Sequence, residues 1–123
     1  MAIKVLIYED NENLRKSIQT LLIWNPAFDI VAAMPDAICV QEDISVLKPD
    51  VILMDIGLPG IDGYEVAKQI REFDARVRIT AITGYGREED RERSKQSGIN
   101  FHLTKPVKVD DLNRALGYAA NKK

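Results

Sequence analysis

Five short apolar runs alternate with stretches of helical character, and this alternation leaves the chain very few folds to adopt. Ile3 to Tyr8, Phe28 to Met34, Val51 to Met54, Val77 to Ile82 and Asn100 to Leu103 are strand-length and mostly rich in β-branched or aromatic residues. The intervening segments switch to helical spacing. Leu14, Ile18, Leu21 and Leu22 form one apolar face from Asn11 to about Asn25-Pro26. Ile38, Ile44 and Leu47 form a thinner stripe on a helix opening at Pro35-Asp36 and closed by Lys48-Pro49-Asp50. Val66, Ala67, Ile70 and Phe73 mark a third helix from Tyr64 to about Asp74, and Val109, Leu112, Ala115, Leu116 and Ala119 mark the last. Between Gly86 and Gly98 there is no apolar residue, so a helix beginning near Arg87 has little to bury and is expected to be the loosest element.

Val51 to Met54 are apolar without interruption, as a strand covered on both faces must be, and that implies a parallel sheet. Right-handed crossovers then place helices on both sides. The expected fold is a doubly wound α/β domain of flavodoxin-like kind: five parallel strands in the order 2-1-3-4-5, with five helices. Its ligands would gather at the carboxyl ends of the first and third strands and their neighbours.

The chain has 123 residues, 46% of them hydrophobic, which suits one domain over 1–123 with no separate output domain. Seventeen basic residues against 19 acidic ones give a net charge of −2, which offers no general attraction to nucleic acid or to an anionic membrane. Cys39 is the only cysteine, so no internal disulfide can form, and no run approaches the ~20 apolar residues of a membrane span. A cytoplasmic location is expected.

Just past the strands lie Glu9-Asp10 (first), Asp55 (third), Thr83 (fourth) and Lys105 (fifth). Gly57, Pro59, Gly60 and Gly63 break regular structure directly after Asp55, which is expected to be exposed in the crevice at the sheet edge. Three neighbouring carboxylates raise one another's pKa unless a cation sits among them. An all-oxygen set suits Mg²⁺, whereas Cys39 and His102 lack zinc-ligand spacing. Lys105 and Thr83 add a charge and a hydroxyl donor suited to a tetrahedral oxyanion, and Asp55 can then act as a nucleophile toward phosphorus.

Glu9-Asp10, Asp55 followed by Pro59 and Gly63, Thr83, and Lys105-Pro106 closely resemble the motif set of response-regulator receiver domains of two-component signalling, over residues 3–120. The resemblance implies that Asp55 accepts a phosphoryl group from a histidine kinase or a histidine phosphotransfer protein. It implies Asp10, Asp55 and the Gly57 carbonyl as direct Mg²⁺ ligands, with Glu9 acting through water. Lys105 and Thr83 would bond the phosphoryl group, Lys105-Pro106 would be a cis peptide, and His102 falls where the family usually has a switch aromatic. The chain would catalyse only its own phosphorylation and dephosphorylation. Its output would be a changed surface formed by the 87–97 helix, the fifth strand and the last helix, acting on an output domain or target protein or forming a homodimer.

Gly57 and Tyr85 occupy the positions whose side chains, in the family, flank the hydrolytic water, and Gly57 removes one of them. Two readings from other classes compete. A small aspartyl-phosphate phosphatase of the haloacid dehalogenase type would need a second Asp where Gly57 stands, and a flavin-binding module would not place Glu9-Asp10-Asn11-Glu12 against a phosphate. A phosphorylation-independent pseudo-receiver that only binds partners is the closer rival.

Overall fold

The computed structural model describes residues 2–58, 60, 62–84, 92, 93 and 95–120, with side chains described through residue 116. The elements are β1 (Ile3–Tyr8), α1 (Glu12–Ile23), β2 (Phe28–Met34), α2 (Val40–Leu47), β3 (Val51–Asp55), α3 (Gly63–Phe73), β4 (Arg78–Thr83), β5 (Phe101–Thr104) and α4 (Val109–Ala120). All five strands are parallel, as the alternation implies, and they lie in the expected flavodoxin-like order β2-β1-β3-β4-β5.

The uninterrupted apolar run in β3 is explained by two cores, one on each face of the sheet. Ile52 and Met54 join Leu6, Tyr8, Ile79 and Ala81 beneath α2 and α3, where Val40, Ile44, Val66, Ala67 and Ile70 cover them. Val51 and Leu53 join Val5, Ile7, Ile82 and Leu103 beneath α1 and α4, covered by Ile18, Leu22, Leu112, Ala115 and Leu116. Successive residues of a strand point to opposite faces, so a strand in the middle of such a sheet has no wet side.

Helix starts follow local chemistry. Asn11 caps α1, its Oδ1 accepting the Leu14 N–H at 3.0 Å, and Asp62 caps α3, its Oδ1 accepting the Tyr64 N–H at 2.9 Å. At the second helix the expectation fails. Asp36 Oδ1 accepts the Ile38 N–H in a tight Asx turn, and α2 begins only at Val40. Ile38 therefore lies outside the helix, 75% exposed, and Ala37, Val40 and Ile44 do the burying. Five helices were expected and four are present among the described elements. Residues 92, 93, 95 and 96 are helical within the expected 87–97 stretch, and the rest of its start lies outside the described residues. Its exit is anchored: Ser97 and Ile99 are buried.

Arg71, in the last turn of α3, staples three segments together. Its Nε and Nη2 donate to the Gly98 carbonyl (3.0 and 2.8 Å), Nη1 to the carbonyls of Val77 (2.7 Å) and Asp74 (3.2 Å), and Nη2 also to Asn100 Oδ1 (2.7 Å). Asn100 Oδ1 in turn accepts the Ile79 N–H at 3.0 Å. Gly98 has φ +89°, and a Cβ there would lie 2.7 Å from Arg71 Cγ, so this position requires glycine twice over.

Candidate metal and phosphoryl site

The strand register assembles the site. Ile7 pairs with Leu53 and Tyr8 with Met54, so one residue further on Glu9 stands beside Asp55, both on the α1/α4 side of the sheet. Asp55 pairs with Ile82 and Thr83 with Thr104, which brings the next residue, Lys105, to the same edge. Oxygens of Glu9, Asp10 and Asp55 all lie within 4.8 Å of one another.

Glu9 is held from three sides. Its N–H donates to the Met34 carbonyl (2.9 Å), its carbonyl accepts Arg15 Nη1 (2.8 Å), and its Oε2 accepts the Asn11 N–H (3.1 Å). Oε1 is buried and lacks a hydrogen-bond partner among the described residues, with Lys105 Nζ 3.8 Å away. Burial pushes the Glu9 carboxyl up to about 7, and neighbouring Asp55 and Asp10 reinforce the rise, while the Asn11 N–H and Lys105 oppose it. Asp10 is exposed.

Asp55 is at the strand end as expected, but it is not exposed: 4% of its surface is accessible. The reason lies in its partners. Oδ1 accepts the Gly57 N–H at 2.7 Å and Oδ2 accepts Lys105 Nζ at 2.8 Å, so both oxygens are enclosed and compensated. Burial works against the Lys105 charge, yet the hydrogen bond to Asp55 and the fields of Asp55, Glu9 and Asp10 outweigh it and hold its pKa above the ordinary value. Lys105-Pro106 is cis, and the Lys105 N–H donates to the Thr83 carbonyl at 2.8 Å.

A cavity of about 500 Å³ opens beside these groups, lined by Asp55, Ile56, Gly57, Tyr64, Thr83, Gly84 and Lys105. Thr83 is buried in its wall. A Cβ on Gly57 would come within 3.3 Å of Asp55 Oδ1, so the missing side chain is missing directly against the carboxylate. His102 is half-buried on β5, and strand parity turns it away from the core that holds Leu103. Tyr85 lies outside the described residues.

The donor set fits a hard divalent cation. Among the described residues it offers three carboxylates, one with a buried oxygen that no donor satisfies, and no sulfur or imidazole. Strand-end reading did not find Arg15 on the Glu9 carbonyl or Tyr64 in the cavity wall. An arginine on the first turns of α1 and an aromatic beside a cap carry no local signal of these contacts.

Comparison with known proteins agrees with this geometry. The sequence profile of the response regulator receiver domain matches residues 5–117. The chemotaxis protein CheY of Halobacterium salinarum is 32% identical over 116 residues, covering 94% of this chain and 95% of that protein. The response regulator protein VraR of Staphylococcus saprophyticus is 28% identical over 116 residues, covering 94% of this chain but 56% of VraR, so the chain spans about half the length of such relatives. Among solved structures, the signal receiver domain of the response regulator NarL from Mycobacterium tuberculosis superposes with a TM-score of 0.90 at 23% identity, covering 99% and 98% of the two chains. A chain of the CheX–CheY–BeF₃–Mg²⁺ complex from Borrelia burgdorferi superposes at 0.85 and 21% identity, covering 96% and 89%.

Proposed function

The chain belongs to the response regulator receiver domain family, and from that premise we propose that Asp55 accepts a phosphoryl group from a phosphohistidine-bearing kinase or phosphotransfer protein in a Mg²⁺-dependent reaction. One observation carries the reading: a carboxylate whose two oxygens are oriented by the Gly57 N–H and Lys105 Nζ, at the mouth of an open cavity and beside two further acids. A nucleophile held in one orientation has already met much of the entropic cost of attack. Mg²⁺, when bound, supplies charge neutralisation and polarisation of the incoming phosphoryl oxygens. Glu9, Asp10 and Asp55 are the side chains that would hold it, and the family resemblance adds the Gly57 carbonyl. Beryllofluoride and Mg²⁺ accompany the structurally similar CheY of the Borrelia burgdorferi complex, which supports a Mg²⁺-dependent reaction here.

The remaining roles rest on this chain's own groups. Lys105 carries a permanent positive charge against Asp55 and can transfer its hydrogen bond to a phosphoryl oxygen, and the buried Thr83 in the cavity wall is placed to offer its hydroxyl there. The product regulates a partner or output domain through the surface of the 87–97 segment, β5 and α4, with His102 as the switch residue. Such chemistry belongs to signalling rather than to turnover of a substrate, and the chain would work in the cytoplasm. No described helix is long and apolar enough to cross a membrane.

The test is labelling with a small phosphoramidate donor and Mg²⁺, followed by intact-mass measurement. Wild type gains one phosphoryl group, labile to hydroxylamine, and Asp55→Asn gains none. Equal labelling of Asp55→Asn would remove Asp55 as the acceptor, and an unlabelled wild type would favour the phosphorylation-independent binding module.

A further inference from the structure

Among the described residues of the segment that lacks apolar side chains, Arg93 reaches across to the start of α3. Arg93 Nη2 donates to Asp62 Oδ2 at 2.7 Å, and its guanidinium carbon lies 4.2 Å from the centroid of the Tyr64 ring. Asp62 and Tyr64 open α3, and that opening is rigidly seated on the loop after Asp55. The Gly63 N–H donates to the Ile56 carbonyl at 3.2 Å, and a Cβ on Gly63 would lie only 2.4 Å from Ile56 Cα. Tyr64 is itself a wall of the cavity that contains Asp55, Thr83 and Lys105. Arg93 thus grips a platform that continues into the floor of the site.

The other end of the same segment is fixed independently. Ser97 returns both its N–H and its hydroxyl to the Arg93 carbonyl (3.1 and 2.8 Å), and the next residue, Gly98, is the left-handed position that Arg71 holds by its carbonyl. Among the described residues, this short helical piece is pinned at Gly98, and its polar, half-exposed grip at Arg93 is the weaker of the two attachments. Exposed ion pairs and cation–π contacts are weak enough to be made and broken by a ligand, unlike a packed apolar face.

We propose that Arg93 is a positioning residue that couples the Asp55 cavity to the 92–97 surface through Tyr64 and Asp62. A group entering the cavity presses on Tyr64 and changes the grip, and the segment turns about Gly98. The identity of that group rests on the phosphoacceptor reading above, whereas the grip itself does not.

Two arms of one experiment on the full chain separate these. In the ligand-free protein, the Arg93 side-chain proton resonances should be shifted by the Tyr64 ring current and should return to free-chain positions in Tyr64→Leu. Free-chain positions in wild type would overturn the proposal whatever the cavity binds. In the second arm, Mg²⁺ with beryllium fluoride is added, bound fluoride is followed by ¹⁹F NMR, and amide exchange is measured over 95–99. Wild type should change its exchange about fivefold or more, the low end of ordinary coupling between sites. Arg93→Ala should bind beryllofluoride with little change in melting temperature yet lose most of that response, and Arg93→Lys, which keeps a cation over the ring, should recover part of it. An undiminished response in Arg93→Ala, or bound fluoride with no response in wild type, overturns the coupling alone. Wild type that binds no beryllofluoride overturns the phosphoacceptor reading and the coupling together.

Discussion

Arg71→Ala should be among the most damaging single substitutions outside the apolar core. The guanidinium makes five hydrogen bonds to four acceptors on three segments: the carbonyls of Asp74, Val77 and Gly98, and Asn100 Oδ1. Burial holds its pKa below the ordinary arginine value, so it has given up water to make those bonds, and removal leaves part-buried carbonyls without their donor. A hydrogen bond to a charged group contributes about 1.5–3 kcal/mol, but the five share one donor and do not add. We expect a loss on the order of 3–5 kcal/mol, a third or more of the stability of an ordinary domain. Urea unfolding followed by far-UV circular dichroism reads it directly. Arg71→Lys, with one ammonium in place of a planar fork, should lose about half as much, and Arg114→Ala, which removes an exposed ion pair with Asp111, should stay within ~0.5 kcal/mol. Gly98→Ala provides a cycle. In wild type it meets both the left-handed backbone and Arg71 Cγ at 2.7 Å, whereas in Arg71→Ala only the backbone cost of ~1–2 kcal/mol remains. A loss below ~1 kcal/mol in Arg71→Ala would refute the reasoning, because it would mean water replaces the guanidinium freely.

Tyr8 is fully buried, with its hydroxyl donating to Asp43 Oδ2 at 2.7 Å; burial first and Asp43 second push its pKa well above the ordinary tyrosine value. Its contribution is complete below pH ~10 and lost as pH rises beyond it, so in alkaline spectrophotometric titration Tyr8 should ionise only as the fold is lost, and Tyr8→Phe should remove its share of that step. Glu9, raised to about 7, follows the same sign in a lower window: without metal its contribution is complete below its unfolded pKa of ~4.3 and lost as pH rises through about 7. Chelator-treated protein should therefore lose on the order of 2–3 kcal/mol between pH 5 and 8, and Glu9→Gln should flatten that slope; equal slopes in both proteins would count against it. Gly57→Asn places an amide against Asp55 Oδ1 and should shorten the lifetime of the Asp55 acyl phosphate at least about tenfold by orienting water, a prediction that an unchanged lifetime in a hydrolysis time course would sink.

The architecture and the acids were legible because both are written locally. Short apolar runs and a 3.6-residue period mark the elements, and Glu9-Asp10, Asp55, Thr83 and Lys105 each stand at or just past a strand end, so the strand order brings them together. What escaped was contact between side chains far apart in sequence. A stretch without apolar residues from 87 to 97 reads as unanchored, and nothing near Arg93 says that it will find Asp62 and Tyr64 across the fold. The exposure expected for Asp55 failed for a related reason, since its enclosure depends on a lysine 50 residues away. The start of α2 was misplaced by local chemistry that admits two outcomes: an Asp can cap a helix or close a turn on itself, and Asp36 does the second.

Lys105 reaches the acids from the end of β5, the edge strand of the sheet, which pairs only with β4. The order in which the sheet closes therefore has an electrical aspect. A partly folded chain that has joined β1 to β3, but has not yet added β5, holds Glu9 and Asp55 side by side without the ammonium that compensates them. In such an arrangement the two carboxylates repel each other, and docking of the last strand brings the ammonium that relieves the repulsion. The compensating charge is thereby tied to completion of the sheet: the ammonium meets the two carboxylates only in a chain whose outermost strand has docked.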